Sequence, residues 1–245
     1  MQKSLRHLWY NLFAPSISKE SEAYLLQYSS YYRQLNAPNQ QRFQQRLALL
    51  LKFINFLPQG IPTVLPEMKI IIGSAIIQIT FGLKSYIPQH FEKIYVLPGR
   101  YRFRNFEEPF LGHIDVKARV ICFSWADVQS GFKISDDAVN VALHEMAHVW
   151  ETEDKMAASL DAIFDKSHWK EWEAAAKNKL ISMKTGDNRF LKNYGAKNLQ
   201  EMFAVCVEAF FEQADLFKAQ VPELYESMVN LLQQNPLNKE NPLVL

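Results

Sequence analysis

The sequence predicts an α+β fold, mainly helical, with a small sheet just ahead of one chemically loaded helix. Three observations predict it. Long stretches at both ends of the chain repeat apolar residues every three or four positions, the period of a buried helical stripe. Two short runs in the middle are rich in β-branched and aromatic residues, which favours strands. Between these and the later helices stands His-Glu-Met-Ala-His, residues 144–148.

The elements follow in order. Residues 18–57 read as helical, with Ser18 as a cap for KESEAYLLQYSSYYRQL and Pro38 marking the turn into NQQRFQQRLALLLKFINFL. In that second segment Phe43, Leu47, Leu50, Leu51 and Ile54 form the stripe, and Pro58, Gly60 and Pro62 then break the chain. A third helix at about 66–82 carries IIIGSAIIQ. The apolar run Ile70–Leu83 is shorter than the roughly 18–20 residues a membrane span needs, so a buried helix is the plain reading. KIYVL (93–97) and KARVICFSW (117–125) are the expected strands, with Pro98, Gly99, Pro109 and Gly112 as turn punctuation between them. From Ser135 to about Gln234 the pattern is helical again. The chain divides into an N-terminal helical region, 1–88, packed on a catalytic region, 89–245, which together are expected to form one compact unit.

Composition narrows the function classes. A net charge of +1 with no long run of one sign gives no phosphate-tracking surface, so a nucleic-acid partner is not expected. Cys122 and Cys206 lie far apart in apolar segments, with no Cys-x-x-Cys spacing. They read as small buried hydrophobes, which suits a reducing compartment. Near the N-terminus LWYNLFAPS is too short and too interrupted for a signal-peptide core, and no membrane role and a cytoplasmic location are the expectation.

On a helix, residues four apart share a face, so His144 and His148 can turn imidazole nitrogens toward one ion. Glu145 lies about 100° further round, placed to reach a water on that ion rather than the ion itself. Zinc lowers the pKa of such a water, and a carboxylate can take its proton and pass it to a leaving group. Ser135 reads as the N-cap of this helix, with Asp136 and Asp137 in a first turn that favours negative charge. The plainer alternative is two packed histidines with an exposed glutamate between them.

A catalytic zinc needs a third protein ligand. The zincin pattern with a further Gly and His after the motif is excluded, because those positions are Glu151 and Asp154. Glu151 is an awkward ligand one turn along the same helix, and is expected either to orient a histidine or to meet solvent. His168 reads as a surface residue. The better candidate is Glu201 in NLQEMFAVCVEAFF, where Asn198 caps the helix and Glu201 stands at its third position. Glu201 could serve that capping box alone, yet a carboxylate on so apolar a helix asks for a cationic partner. Glu208 follows on the same face, so both carboxylates could look toward one polar centre.

The blocks SWADVQSG, NVALHEMAHVWE, NYGAKNLQEMFAVCVEAFFEQADLF and VPELYESMVNLLQQNPL resemble the Mlc titration factor A family of zinc-dependent peptidases, with likeness over residues 20–237. The resemblance implies a zincin-like, glutamate-zincin type of metallopeptidase fold. It implies His144, His148 and Glu201 as zinc ligands, Glu145 as general base and Tyr194 as a hydrogen-bond donor to the oxyanion. It also implies an aminopeptidase-like activity on small peptide substrates. A regulatory role through binding a transcriptional repressor is the alternative, with catalysis then secondary or absent. The sequence departs from the family pattern at Glu151, where Asp is usual. By analogy with zincins, residues 119–125 are expected to be an edge strand that pairs with an extended peptide; a plain core strand is the other reading.

Overall fold

The computed structural model describes residues 15–103, 107–158, 161–186, 190–191 and 193–244, the side chains of residues 193 and 194 excepted. The N-terminal segment LWYNLFAPS lies almost wholly outside the described residues. Three helices open the described chain: α1 (Lys19–Tyr28), α2 (Ser30–Gln34) and α3 (Ala37–Leu50). The Ser18 hydroxyl accepts from the Ser21 N–H, as expected of a cap, and Ser29 and Asn36 do the same for the next two helices. The break at Ser29 divides what the sequence suggested was one helix.

The second expected helix also ends early. It stops at Leu50, and Asn55–Pro58 form strand β1, pairing in parallel with β2 (Lys93–Leu97). The expected helix over 66–82 is α4 (Pro66–Thr80), in which every residue from Ile70 to Thr80 is buried. This all-round burial explains why its sequence shows so little amphipathic alternation. Its C-terminal carbonyls are served by side chains. Arg46 donates to Thr80, Phe81 and Leu83 oxygens at 2.8, 3.1 and 2.9 Å, and Gln234 donates to Gln78 and Ile79 oxygens at 3.0 and 2.9 Å. Burial lowers the Arg46 guanidinium to about 10.

β3 (Gly112–Asp115) and β4 (Val120–Ser124) complete a sheet of order β1-β2-β4-β3, in which β3 alone runs antiparallel. The segment expected to be an edge strand, 119–125, therefore lies inside the sheet: β4 is flanked on both sides, and β3 forms the edge. Arg119 makes the tight turn between them at φ 61°, and Trp125 already belongs to α5 (Trp125–Lys133), capped by Ser124.

The motif helix α6 (Val141–Met156) starts later than the sequence suggests. Ser135 is not its cap. Ala138 takes a left-handed conformation, φ 54°, which no continuous helix through Ser135 allows. Asn140 caps instead, accepting from the Ala142 and Leu143 N–H groups, both at 3.2 Å. Helices α7 (Lys166–Lys184), α8 (Leu199–Glu212), α9 (Ala214–Gln220) and α10 (Pro222–Leu232) follow, with a short 3-10 turn at Asn193–Ala196 before α8. α6 packs on β3 and β4, on α4 and on α8. One apolar cluster runs from Leu25 on α1 through α4, the sheet and α6 to Leu232 on α10. Cys122 and Cys206 are buried and unbonded. Among the described residues no helix is long and apolar enough to cross a membrane.

Candidate metal centre

α6 and α8 carry the site, and their packing brings it together. Mean burial on α8 is high: Met202 through Phe210 are all buried, so an apolar face locks this helix against α6. Asn198 caps α8 by accepting from the Glu201 N–H at 2.9 Å, which fixes Glu201 in the first turn. The side chain then turns inward. Glu201 Oε2 lies 3.3 Å from His144 Nε2 and 3.6 Å from His148 Nε2. One donor atom from each of the three residues lies within 4.8 Å of the others, and among the described residues no other such group of metal-ligating side chains forms.

The geometry suits a divalent metal. Nitrogen and carboxylate oxygen bind a tetrahedral ion at about 2.0–2.2 Å, which requires donors roughly 3.3–3.6 Å apart. The two separations from Glu201 to the imidazoles match that edge length. Glu201 Oε2 is also fully buried and makes no hydrogen bond of ordinary geometry, although two imidazoles stand beside it. A buried oxygen left so costs free energy unless a cation takes its lone pairs. The two rings sit edge to face at 4.9 Å between centroids, as two histidines one turn apart do when both nitrogens converge.

Electrostatics point the same way. Burial pulls the His144 imidazole down, but the Glu201 and Glu208 carboxylates outweigh it and raise the group to about 10. Burial pushes the Glu201 carboxyl up, yet the His144 and His148 imidazoles bring it down to about 2. The first shift means that the carboxylates favour a positive charge between them, and the second that Glu201 stays ionised to face it.

Glu208 supports His144 from behind. Its Oε2 lies 3.3 Å from His144 Nδ1, while its Oε1 accepts the Asn140 N–H at 2.8 Å. With Nδ1–H directed at Glu208, Nε2 faces Glu201, where a bound ion would take its lone pair in place of a proton. Asn140 in turn donates its side-chain N–H to Glu212 Oε1 at 3.0 Å. The chain from Glu212 through Asn140 and Glu208 thus holds both the start of α6 and its first histidine.

Glu145 is nearly buried and does not join the three donors. Burial raises its carboxyl, opposed by the two imidazoles. On its other side lies the edge strand: a Cβ built on Gly112 would stand 2.7 Å from Glu145 Cγ. Tyr194 falls in the 3-10 turn just before α8, and its side chain lies outside the described residues. Glu151 neither orients a histidine nor meets solvent. It is buried, and its Oε1 accepts from Lys155 Nζ at 2.7 Å. His168 is half-buried near the start of α7, with a buried Nδ1 that makes no hydrogen bond, and so is not the surface residue expected.

Sequence reasoning missed Asn140 and Gly112. Asn140 carried a usable signal, since Asn directly before an apolar helical run is a strong cap. Gly112 carried none, because only the folded chain shows what lies opposite it.

Comparison with known proteins agrees with this geometry. The chain is 31% identical over 126 residues to Mlc titration factor A of Escherichia coli (strain SMS-3-5 / SECEC), and 29% identical over 125 residues to that of Shigella flexneri. Each match takes in 49% of this chain and 46% of the relative, so the aligned part spans about half the length of these curated relatives. The profile of the glucose-regulated metallo-peptidase M90 family matches residues 4–233, which take in both motif helices and the sheet. With a His-His-Glu donor set at metal-binding distances inside a match of that extent, the chain belongs to the glucose-regulated metallo-peptidase M90 family.

Proposed function

We propose that this chain is a zinc-dependent peptidase of zincin-like type, with His144, His148 and Glu201 holding the ion and Glu145 as the proton-transferring carboxylate. The observation that carries the reading is the convergence of two imidazoles from one helix and a carboxylate from another, with the buried Glu145 carboxyl within electrostatic reach of both imidazoles. Two nitrogens and one oxygen form the donor set of many catalytic zinc sites with an open fourth position. A zinc ion there supplies a Lewis acid that polarises a scissile carbonyl and makes water acidic enough to attack near neutral pH.

The chain's own groups do the rest. Glu208 fixes the tautomer and tilt of His144. Glu145, lifted by burial toward the range of a useful base, accepts a proton from the attacking water and delivers it to the departing amine. Tyr194, in the turn ahead of α8, is proposed to donate a hydrogen bond to the developing oxyanion. The outer edge of β3 offers backbone groups to an extended peptide, taking the role the sequence suggested for 119–125. An aminopeptidase-like preference for small peptides rests on the family resemblance, and a cytoplasmic location fits the two unbonded buried cysteines.

The test is elemental analysis of protein purified without chelators, paired with a peptide-library assay that includes free and blocked amino termini. One equivalent of zinc is expected, with hydrolysis abolished in Glu145→Gln at unchanged zinc content. Full hydrolysis by Glu145→Gln would remove Glu145 from the mechanism. A second reading is favoured by the relatives' name, which makes them titration factors for Mlc: this chain binds a repressor-like protein. That predicts a stable complex with such a repressor, indifferent to Glu145→Gln.

A further inference from the structure

We propose that Gly112, on the edge strand, is a positioning residue for Glu145, there because its missing side chain leaves room for the carboxylate. The inference rests on the peptidase reading for its catalytic meaning, but not for its physical basis.

Gly112 is the first residue of β3, and its backbone is not the reason for glycine. Among the described residues the positive-φ glycines are Gly60 and Gly186, so an alanine at 112 meets no conformational penalty. Strand propensity would even favour the exchange. Space is the reason. A Cβ at 112 would stand 2.7 Å from Glu145 Cγ, 3.2 Å from Glu145 Cδ and 3.0 Å from Val141 Cγ2, all closer than normal carbon contacts. The first two belong to the side chain whose carboxylate the mechanism needs.

Neither partner can yield cheaply. The strand is pinned by its register to β4, with Gly112 opposite Phe123 and the Ser124 N–H donating to the Leu111 oxygen at 2.8 Å. α6 is held by the Asn140–Glu208 contact at its start and by the packing of Leu143, Met146 and Ala147, all buried. The clash reaches Cγ, close to the backbone, so small motions of the carboxylate end cannot relieve it. Relief requires rotation about the first side-chain bond of Glu145, and such a rotation carries the carboxylate away from its place beside the donors. The three atoms nearest the added carbon belong to Glu145 and Val141 and none to His144 or His148, so the closest clash falls on the base and not on the metal ligands.

A double-mutant cycle tests this. Gly112→Ala is expected to lower the Tm of the otherwise unchanged chain by about 3–8 °C. In a Glu145→Ala background, where Cγ and Cδ are gone and only the 3.0 Å approach to Val141 Cγ2 remains, the same exchange should lower Tm by less than half as much. Equal Tm losses in the two backgrounds would overturn the proposal, whatever the chain's activity. In the enzyme assay Gly112→Ala should retain one equivalent of zinc and a KM within twofold of the parent, with kcat reduced at least tenfold. Loss of zinc, or an unchanged kcat in the folded, zinc-loaded variant, would also overturn it. If the parent hydrolyses no peptide, the peptidase reading fails while the thermal cycle still decides the positional claim.

Discussion

Glu208 touches two things that must stay in register, the start of α6 through the Asn140 N–H and the first imidazole through Nδ1. Replacing it by Gln keeps the size but weakens both contacts. Metal affinity should fall roughly 10–100-fold, as it does when a histidine loses its outer carboxylate; competition with a chromogenic chelator measures it. Glu145→Gln tests the proposed proton transfer, because Glu145 stands outside the three donors. Turnover should drop about 10²–10⁴-fold with metal affinity within a few fold of the parent. A third residue tests the entry to the motif helix. Ala138 sits at φ 54° and buried, where a Cβ is strained, so Ala138→Gly should stabilise the chain by about 1 kcal/mol, read from the urea midpoint. His144, Glu145 and His148 were legible in the sequence because their spacing is set by the helix alone. Glu201 was legible because Asn198 and a charged residue on an apolar helix mark it. Gly112 and Asn140 gained their meaning from partners that only tertiary packing supplies.

At the scale of elements, the motif helix does a second job near its far end. Glu153 is buried, and its two carboxylate oxygens accept the backbone N–H groups of Gln89, His90 and Phe91 at 2.9, 2.7 and 3.1 Å. These residues lead directly into β2, so one side chain ties the sheet to α6. Glu153→Ala leaves three donors to find water and should cost about 3 kcal/mol, measured by chemical unfolding, without altering the donor triad. The long helices were predictable from their apolar period and caps, whereas β1 and β3 were not. Each is four residues long and carries few β-branched side chains: Asn55 and Pro58 bound the first, Gly112 and Asp115 the second. β1 owes its strand character to β2, far along the chain, and β3 owes its own to the hairpin with β4, and local propensity records neither pairing. The inner strands were found because β4 is buried on both faces and β2 on alternate residues, which demands the Val, Ile and aromatic content that marks them.

For the whole molecule, three distant segments meet at Gln234, which is fully buried. Tyr31 donates to its Oε1 at 2.7 Å while its amide caps α4, so the C-terminal tail closes over the N-terminal helices. Gln234→Ala strands a tyrosine hydroxyl and two carbonyls and should lower stability by about 2–4 kcal/mol in equilibrium unfolding. A bound ion would act globally as well. Because α6 and α8 already share the apolar core, chelation should lower Tm by several degrees rather than unfold the chain, and calorimetry with and without a chelator reads this directly.

The donors arrive at different moments during translation. When residues 141–156 have been synthesised, the nascent polypeptide owns both imidazoles, but the carboxylate that completes the donor set has still to be added, far downstream on α8. A chain ending anywhere before that helix would therefore own two of the three donors and hold an ion weakly.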